Sequence, residues 1–185
     1  MAKTESTMMP LGTVAPAFSL PDTISGKNKS FADIKADKGT VVMFICNHCP
    51  YVIHVQEKVV ELAKEYQNQG VGFVAISSND VKNYPDDSPE LMNAHAEKYG
   101  FSFPYLYDES QDIAQAYQAA CTPDFFVFNS KDECVYRGRM DGATPGNNVP
   151  VTGDDLSMVL SSLVAGLPID SEQHPSVGCG IKWKN

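Results

Sequence analysis

Val41-Val42-Met43-Phe44-Ile45-Cys46-Asn47-His48-Cys49-Pro50 joins the strongest strand signal in the 185-residue chain to two cysteines and a proline. Residues 41–45 are apolar at every position, the pattern of a strand buried on both faces. A helix is predicted from about Pro50 to Asn68. Val52, Val55, Val59, Leu62 and Tyr66 recur there at helical spacing, and Gly70 ends it. Val71–Ser77 is a second buried strand. Strand, helix and strand in that order imply a parallel pair joined by a right-handed crossover. A Cys-x-x-Cys between a buried strand and a helix is the setting in which two thiols do redox work.

The flanks extend the same plan. Pro16 and Pro21 keep Val14–Asp22 extended, Ser25–Asn28 reads as a turn, and Ser30–Ala36 as a short helix. Ser88-Pro89-Glu90 opens a helix that runs to Tyr99 and stops at Gly100. Asp108–Gln111 has the form of a capping box before a helix at 112–119. Phe125–Phe128 and Cys134–Met140 read as a hairpin around the polar turn 130–133. Leu156–Ala165 is a last helix, with Asp154 and Asp155 placed for its dipole. Alternating elements of this kind predict one α/β domain, a central mixed sheet flanked by helices. The expected division is a flexible N-terminus at 1–12, a domain at 13–168 and an aperiodic C-terminal tail at 169–185.

Fourteen basic residues against 23 acidic ones give a net charge of -9. Phosphate backbones need a basic surface, so a nucleic-acid partner is not expected. No apolar window is long enough to span a membrane. Met1–Gly12 has no signal-peptide core, which makes a cytoplasmic location the expectation. In that setting five cysteines are catalytic, metal-binding or core residues rather than structural disulfides.

Two readings of the cysteine pair stand side by side. In an ordinary Cys-x-x-Cys the first residue, Cys46, attacks and Cys49 resolves, with His48 stabilising the thiolate. The helix argues for the reverse. Proline is welcome at the first helical position, so Pro50 places Cys49 at the N-cap, where free N–H groups and the helix dipole lower a thiol pKa. We take Cys49 as the preferred nucleophile.

With Ala15-Pro16-Ala17-Phe18, the 46–49 motif and Thr122-Pro123 ahead of a strand, the chain resembles the thioredoxin-like redoxins, which include the alkyl hydroperoxide reductase and thiol-specific antioxidant group. The resemblance implies a thioredoxin-like fold and a cis peptide bond at Thr122-Pro123 facing the reactive cysteine. Laying Phe44 on the phenylalanine of the redoxin motif Phe-Trp-Ala-x-Trp-Cys-Pro-Pro-Cys puts Cys49 on the first cysteine and Val52 on the second. Three departures accompany it. Met43 stands where thioredoxins carry a buried carboxylate, and His48 replaces the usual tryptophan. The threonine that peroxiredoxins place three residues before the reactive cysteine is Cys46 or Met43 here.

The resulting expectation is a thiol-disulfide oxidoreductase with Cys49, Cys46 and His48 as catalytic residues. Thr122 and Pro123 would line a substrate groove whose backbone groups are free for strand-like pairing. Cys121 and Cys179 are candidates for additional redox roles. Cys179 lies in a tail run, Gly-Cys-x-Ile-Lys-Trp, that similar redoxins share. The substrates would be protein or low-molecular-weight disulfides, with a cellular thiol reductant and no bound cofactor or metal. The alternatives are a thiol peroxidase, or a redoxin binding copper or zinc through His48 and the paired cysteines. Cys134 is expected in the core, His54 and His95 in solvent, and Arg137 and Arg139 mainly in surface ion pairs.

Overall fold

The computed structural model describes residues 3–185. In chain order the elements are β1 Lys3–Glu5, β2 Ser19–Pro21, β3 Asn28–Ser30, α1 Phe31–Ile34, β4 Gly39–Phe44, α2 Pro50–Gln67, β5 Val71–Ser77, α3 Pro89–Tyr99, β6 Tyr105–Tyr107, α4 Asp112–Ala116, β7 Cys121–Thr122, β8 Asp124–Asn129, β9 Cys134–Gly138, α5 Asp154–Ala165 and β10 Val177–Gly180. A short 3-10 turn, Pro85–Asp87, precedes α3.

The main sheet has the order β6-β5-β4-β8-β9. β4, β5 and β6 are parallel, while β8 and β9 run antiparallel. All six residues of β4 are buried, as its apolar run requires. Alternation along the strand divides them between two cores. Val41 and Met43 pack under α2, α3 and α5 with Val52, Val59, Met92, Leu156 and Leu160. Val42 and Phe44 face α1 and α4 with Phe31, Ala114 and Tyr117. Tyr117 is fully buried among Phe18, Phe44, Phe126 and Phe128, and its hydroxyl donates to Pro16 O at 2.8 Å. The sheet thus has helices on both faces, the thioredoxin-like arrangement expected.

The ends of the chain differ from expectation. Residues 1 and 2 of the segment expected to be flexible lie outside the described residues. From Lys3 onward that segment is held in place: β1 pairs with β10, and Met9 is completely buried. The aperiodic tail supplies the central strand of a second small sheet, β1-β10-β7. Three residues each in β1 and four in β10 are too few to show an alternation in sequence, so their pairing is set by tertiary contact. The capping box at 108–111 is also replaced by another device. Gln111 adopts a left-handed conformation, and the buried Asp108 carboxylate accepts from Ser78 Oγ and from the Ala114 N–H that opens α4.

Gly178 shows how closely β10 is seated. A Cβ there would lie 1.9 Å from Thr122 O. Gly178→Ala is therefore expected to force β10 off β7 at a cost of about 1–3 kcal/mol. Urea unfolding of both proteins checks this; equal stabilities would mean that the strand has room to shift.

Candidate active site

β4 ends against the reactive loop. Ile45 N–H donates to Ile76 O of β5, and residues 46–49 then turn the chain into α2. Cys49 is the N-cap in extended conformation and Pro50 the first helical residue, as the sequence predicts. Its backbone oxygen, rather than its sulfur, takes the first helix N–H groups, those of Val52 and Ile53, each at 3.0 Å.

The sulfur is surrounded by other thiols. Cys49 Sγ lies 2.9 Å from Cys179 Sγ and 3.3 Å from Thr122 O. Cys46 also hydrogen-bonds to it, and Cys46 Sγ lies 3.6 Å from Thr122 Oγ1. Cys46, Cys49 and Cys179 are all buried. These contacts lower the Cys49 pKa to about 5. The Cys46 hydrogen bond contributes most and outweighs desolvation; donation from Cys179, from the Thr122 side chain and from the N–H of Val52 adds to it. The Cys46 pKa is raised well above its ordinary value, by the Cys49 hydrogen bond first and by burial second. Cys179 is pushed up to about 12 by burial and by the same neighbour. Of the three, Cys49 is thus the sulfur that ionises most readily, with the other two placed to donate to it. The helix terminus favours the same sulfur, but its N–H groups are a minor contribution beside the neighbouring thiols.

The loop is strapped from below by Asp87, a residue the sequence reading did not single out. Its fully buried carboxylate accepts from Asn47 N–H and from Asn79 Nδ2, each at 2.8 Å. Asn47 in turn donates to Asp86 O and accepts from Tyr105 OH. His48 Nδ1 lies 2.7 Å from Asp87 Oδ2 but is off-line, so it makes no hydrogen bond among the described residues. The His48 ring is stacked parallel to Tyr84. Cys46 Sγ, His48 and Asp87 converge within 4.8 Å, a sulfur, nitrogen and oxygen set of a size that can hold a metal ion such as zinc. Asp87 also brings a carboxylate near the thiols, where its charge helps raise Cys46. Only its spacing from Asn79 and the Pro85 turn could have signalled it, and neither feature is specific.

Thr122-Pro123 is a cis peptide bond, and Thr122 reaches both Cys46 and Cys49. The backbone of Thr122 is not free, as the groove reading required, because β10 pairs with it. Cys121 alternates to the other side of β7, and its Sγ contacts Pro123 O and Ser176 O instead. Cys134 is buried, as expected, and His54 is exposed. His95 departs from expectation: it is half-buried, bonds Gln56 Oε1 at 2.6 Å and packs on Tyr99 and Phe101, and burial lowers its pKa. Arg139 pairs with Asp155, and Arg137 donates to Met9 O and Gln173. Among the described residues no helix is long and apolar enough to cross a membrane.

The AhpC/TSA family matches residues 11–137, about two thirds of the chain. The protein belongs to the AhpC/TSA family. Within reach of this AhpC/TSA chain is thiol-disulfide oxidoreductase ResA of Geobacillus thermodenitrificans, 28% identical over 140 residues that cover 74% of this chain and 75% of ResA. A crystal structure of an uncharacterized conserved protein from Geobacillus kaustophilus superposes with a TM-score of 0.98 at 53% identity, covering 100% of this chain and 97% of that one. A hypothetical protein from Sinorhizobium meliloti gives 0.95 at 42% identity, covering 98% of each. The peroxidoxin BcpB of Mycobacterium tuberculosis, with a TM-score of 0.63 at 17% identity over 88% of this chain and all of the other, shares the fold.

Proposed function

We propose that this AhpC/TSA member is a thiol-disulfide oxidoreductase built on the Cys46–Cys49 motif, acting on protein or low-molecular-weight disulfides and recycled by a cellular thiol in the cytoplasm. The observation that carries this reading is the cluster of buried sulfurs at the strand-helix junction: Cys49 Sγ lies 2.9 Å from Cys179 Sγ, and Cys46, its partner in the motif, holds its pKa down to about 5. Exchange needs that inventory: a thiolate to attack a disulfide sulfur, and a second thiol within bonding reach to release the mixed disulfide. A relative of similar length, ResA, bears the name of the same activity.

The attack is on a sulfur of the substrate. A Cys49–substrate disulfide forms and the first substrate thiolate leaves. A neighbouring thiol then attacks Cys49 Sγ and releases the second. A cleft of about 100 Å3 lined by Tyr51, Pro123, Arg139 and Val177 flanks the site and offers an approach. The peroxidase alternative is supported by family membership. Against it, the hydroxyl expected three residues before the reactive cysteine is the thiol of Cys46, and both arginines are engaged elsewhere.

The reduced protein is expected to reduce 5,5'-dithiobis(2-nitrobenzoate) and insulin disulfides much faster than it consumes hydrogen peroxide with a thiol donor. Peroxide turnover that outruns both disulfide reactions would replace this reading by the peroxidase.

A further inference from the structure

The edge that Thr122 and Pro123 were expected to offer a substrate is filled by the chain itself. β10 lies antiparallel to β7 with Cys179 opposite Thr122 and Gly180 opposite Cys121. Adding a strand to an open sheet edge is how an extended peptide docks, with backbone bonds for affinity and side-chain pockets for specificity. The register of this addition delivers a cysteine to the reactive sulfur. Cys179 Sγ stops 2.9 Å from Cys49 Sγ, beyond the roughly 2.05 Å of a disulfide and with no group between.

Independent contacts hold the tail in that register. Gly178 alone permits its close approach to Thr122 O. β1 closes the other edge with Lys3 opposite Cys179. Beyond the strand, Ile181 N–H donates to Ala120 O, and Lys182 N–H donates to the side chain of Asn79. Asn79 is also the residue that donates to Asp87 under the reactive loop, so one asparagine ties the tail to the Cys46–Cys49 turn.

Resting on the exchange reading above, we propose that β10 is a built-in substrate strand and that Cys179, rather than Cys46, is the thiol that closes the catalytic disulfide with Cys49. The step balances without a further oxidant. Cys49 thiolate attacks glutathione disulfide; the Cys49–glutathione bond forms, and the first glutathione thiolate leaves and takes a proton from water. Cys179 gives up its proton and attacks Cys49 Sγ. The Cys49–Cys179 bond forms, the Cys49–glutathione bond breaks, and the second glutathione leaves with the proton that Cys179 released. One disulfide becomes two thiols, and two protein thiols become one disulfide. Cys46 keeps its proton throughout and acts as a positioning residue for the Cys49 thiolate.

The test is disulfide mapping by non-reducing peptide mass spectrometry on the full chain. Wild type, Cys46→Ser and Cys179→Ser are each oxidised with glutathione disulfide and quenched in acid with an alkylating agent. Cys49–Cys179 should be the dominant bond in wild type and in Cys46→Ser. Cys179→Ser should accumulate the Cys49–glutathione adduct at least tenfold over wild type. A wild-type map in which Cys49–Cys179 is the minor bond, or a Cys46→Ser protein that stays glutathionylated, overturns the assignment. The wild-type and Cys46→Ser maps decide it even if Cys179→Ser does not fold. They also separate it from the exchange reading: a protein that reduces dithiobis(nitrobenzoate) and insulin but closes a Cys46–Cys49 bond keeps that reading and overturns this one.

Discussion

Reduced protein titrated by ultraviolet thiolate absorbance is expected to ionise one cysteine with a midpoint near pH 5, and Cys49→Ser should remove that transition. The ordinary value for the thiol is 9.0. At pH 7 a midpoint of about 5 leaves roughly a hundred thiolates for each thiol, so exchange at neutral pH draws on an almost fully ionised nucleophile. The rate of disulfide exchange should accordingly rise with pH only to about 6 and then flatten. Loss of the sulfur in Cys49→Ser should slow exchange by at least about a thousandfold, because burial, which persists in the variant, keeps the Cys46 and Cys179 thiols raised. The cause is tested by Cys46→Ala, which deletes the leading hydrogen bond and should move the midpoint upward while leaving the attacking sulfur in place. A wild-type midpoint above pH 7, or one that survives in Cys49→Ser, would sink the choice of nucleophile.

The parts of this site that the sequence discloses are those made by local chain. Five apolar residues ahead of Cys46 can be buried only as a central strand. Pro50 can open a helix but not continue one, so Cys49 must be its cap. Thr122-Pro123 is placed at the site only by the resemblance to the redoxins. What could not be read was the company these residues keep. Cys179 reaches Cys49 from 130 positions away through a strand of four residues, two of them glycine, with no alternation to announce it. Asp87 lies in a polar stretch that resembles any surface turn until Asn47 and Asn79 are seen to bond it. The N-terminal segment looks loose because three residues of strand carry no periodic signal, yet pairing with β10 holds it. The helix pattern alone predicts His95 in solvent; the aromatic side chains of Tyr99 and Phe101 cover it.

Asp124 supplies the second large effect. It stands directly after Pro123, opposite Phe44 across the sheet, and is fully buried. Ser6 Oγ donates to its Oδ1 at 2.8 Å, while Oδ2 has no partner among the described residues. Burial raises its pKa from 3.8 to about 7, against the lowering effect of Ser6 and of the Ala120 and Phe125 backbone. The folded chain therefore holds a proton that the unfolded chain releases in the interval from about pH 4 to 7. A native state that binds the extra proton is most stable below that interval, loses stability as pH rises through it, and levels off above the folded pKa. The displacement corresponds to a loss of about 4 kcal/mol between the two ends. Asp124→Asn keeps the acceptor for Ser6 and cannot ionise. The difference in unfolding free energy between Asp124→Asn and wild type should then climb by about 3–4 kcal/mol in favour of the variant from pH 4 to pH 8. The Cys49 thiolate contributes a pH slope of opposite sign, since its folded pKa is depressed, but it is present in both proteins and cancels in the difference. Urea unfolding under constant reductant at several pH values measures that difference directly. A gap that stays constant to within about 1 kcal/mol across the range would show that Asp124 is already ionised in the fold at low pH, and that solvent or an unseen donor reaches Oδ2.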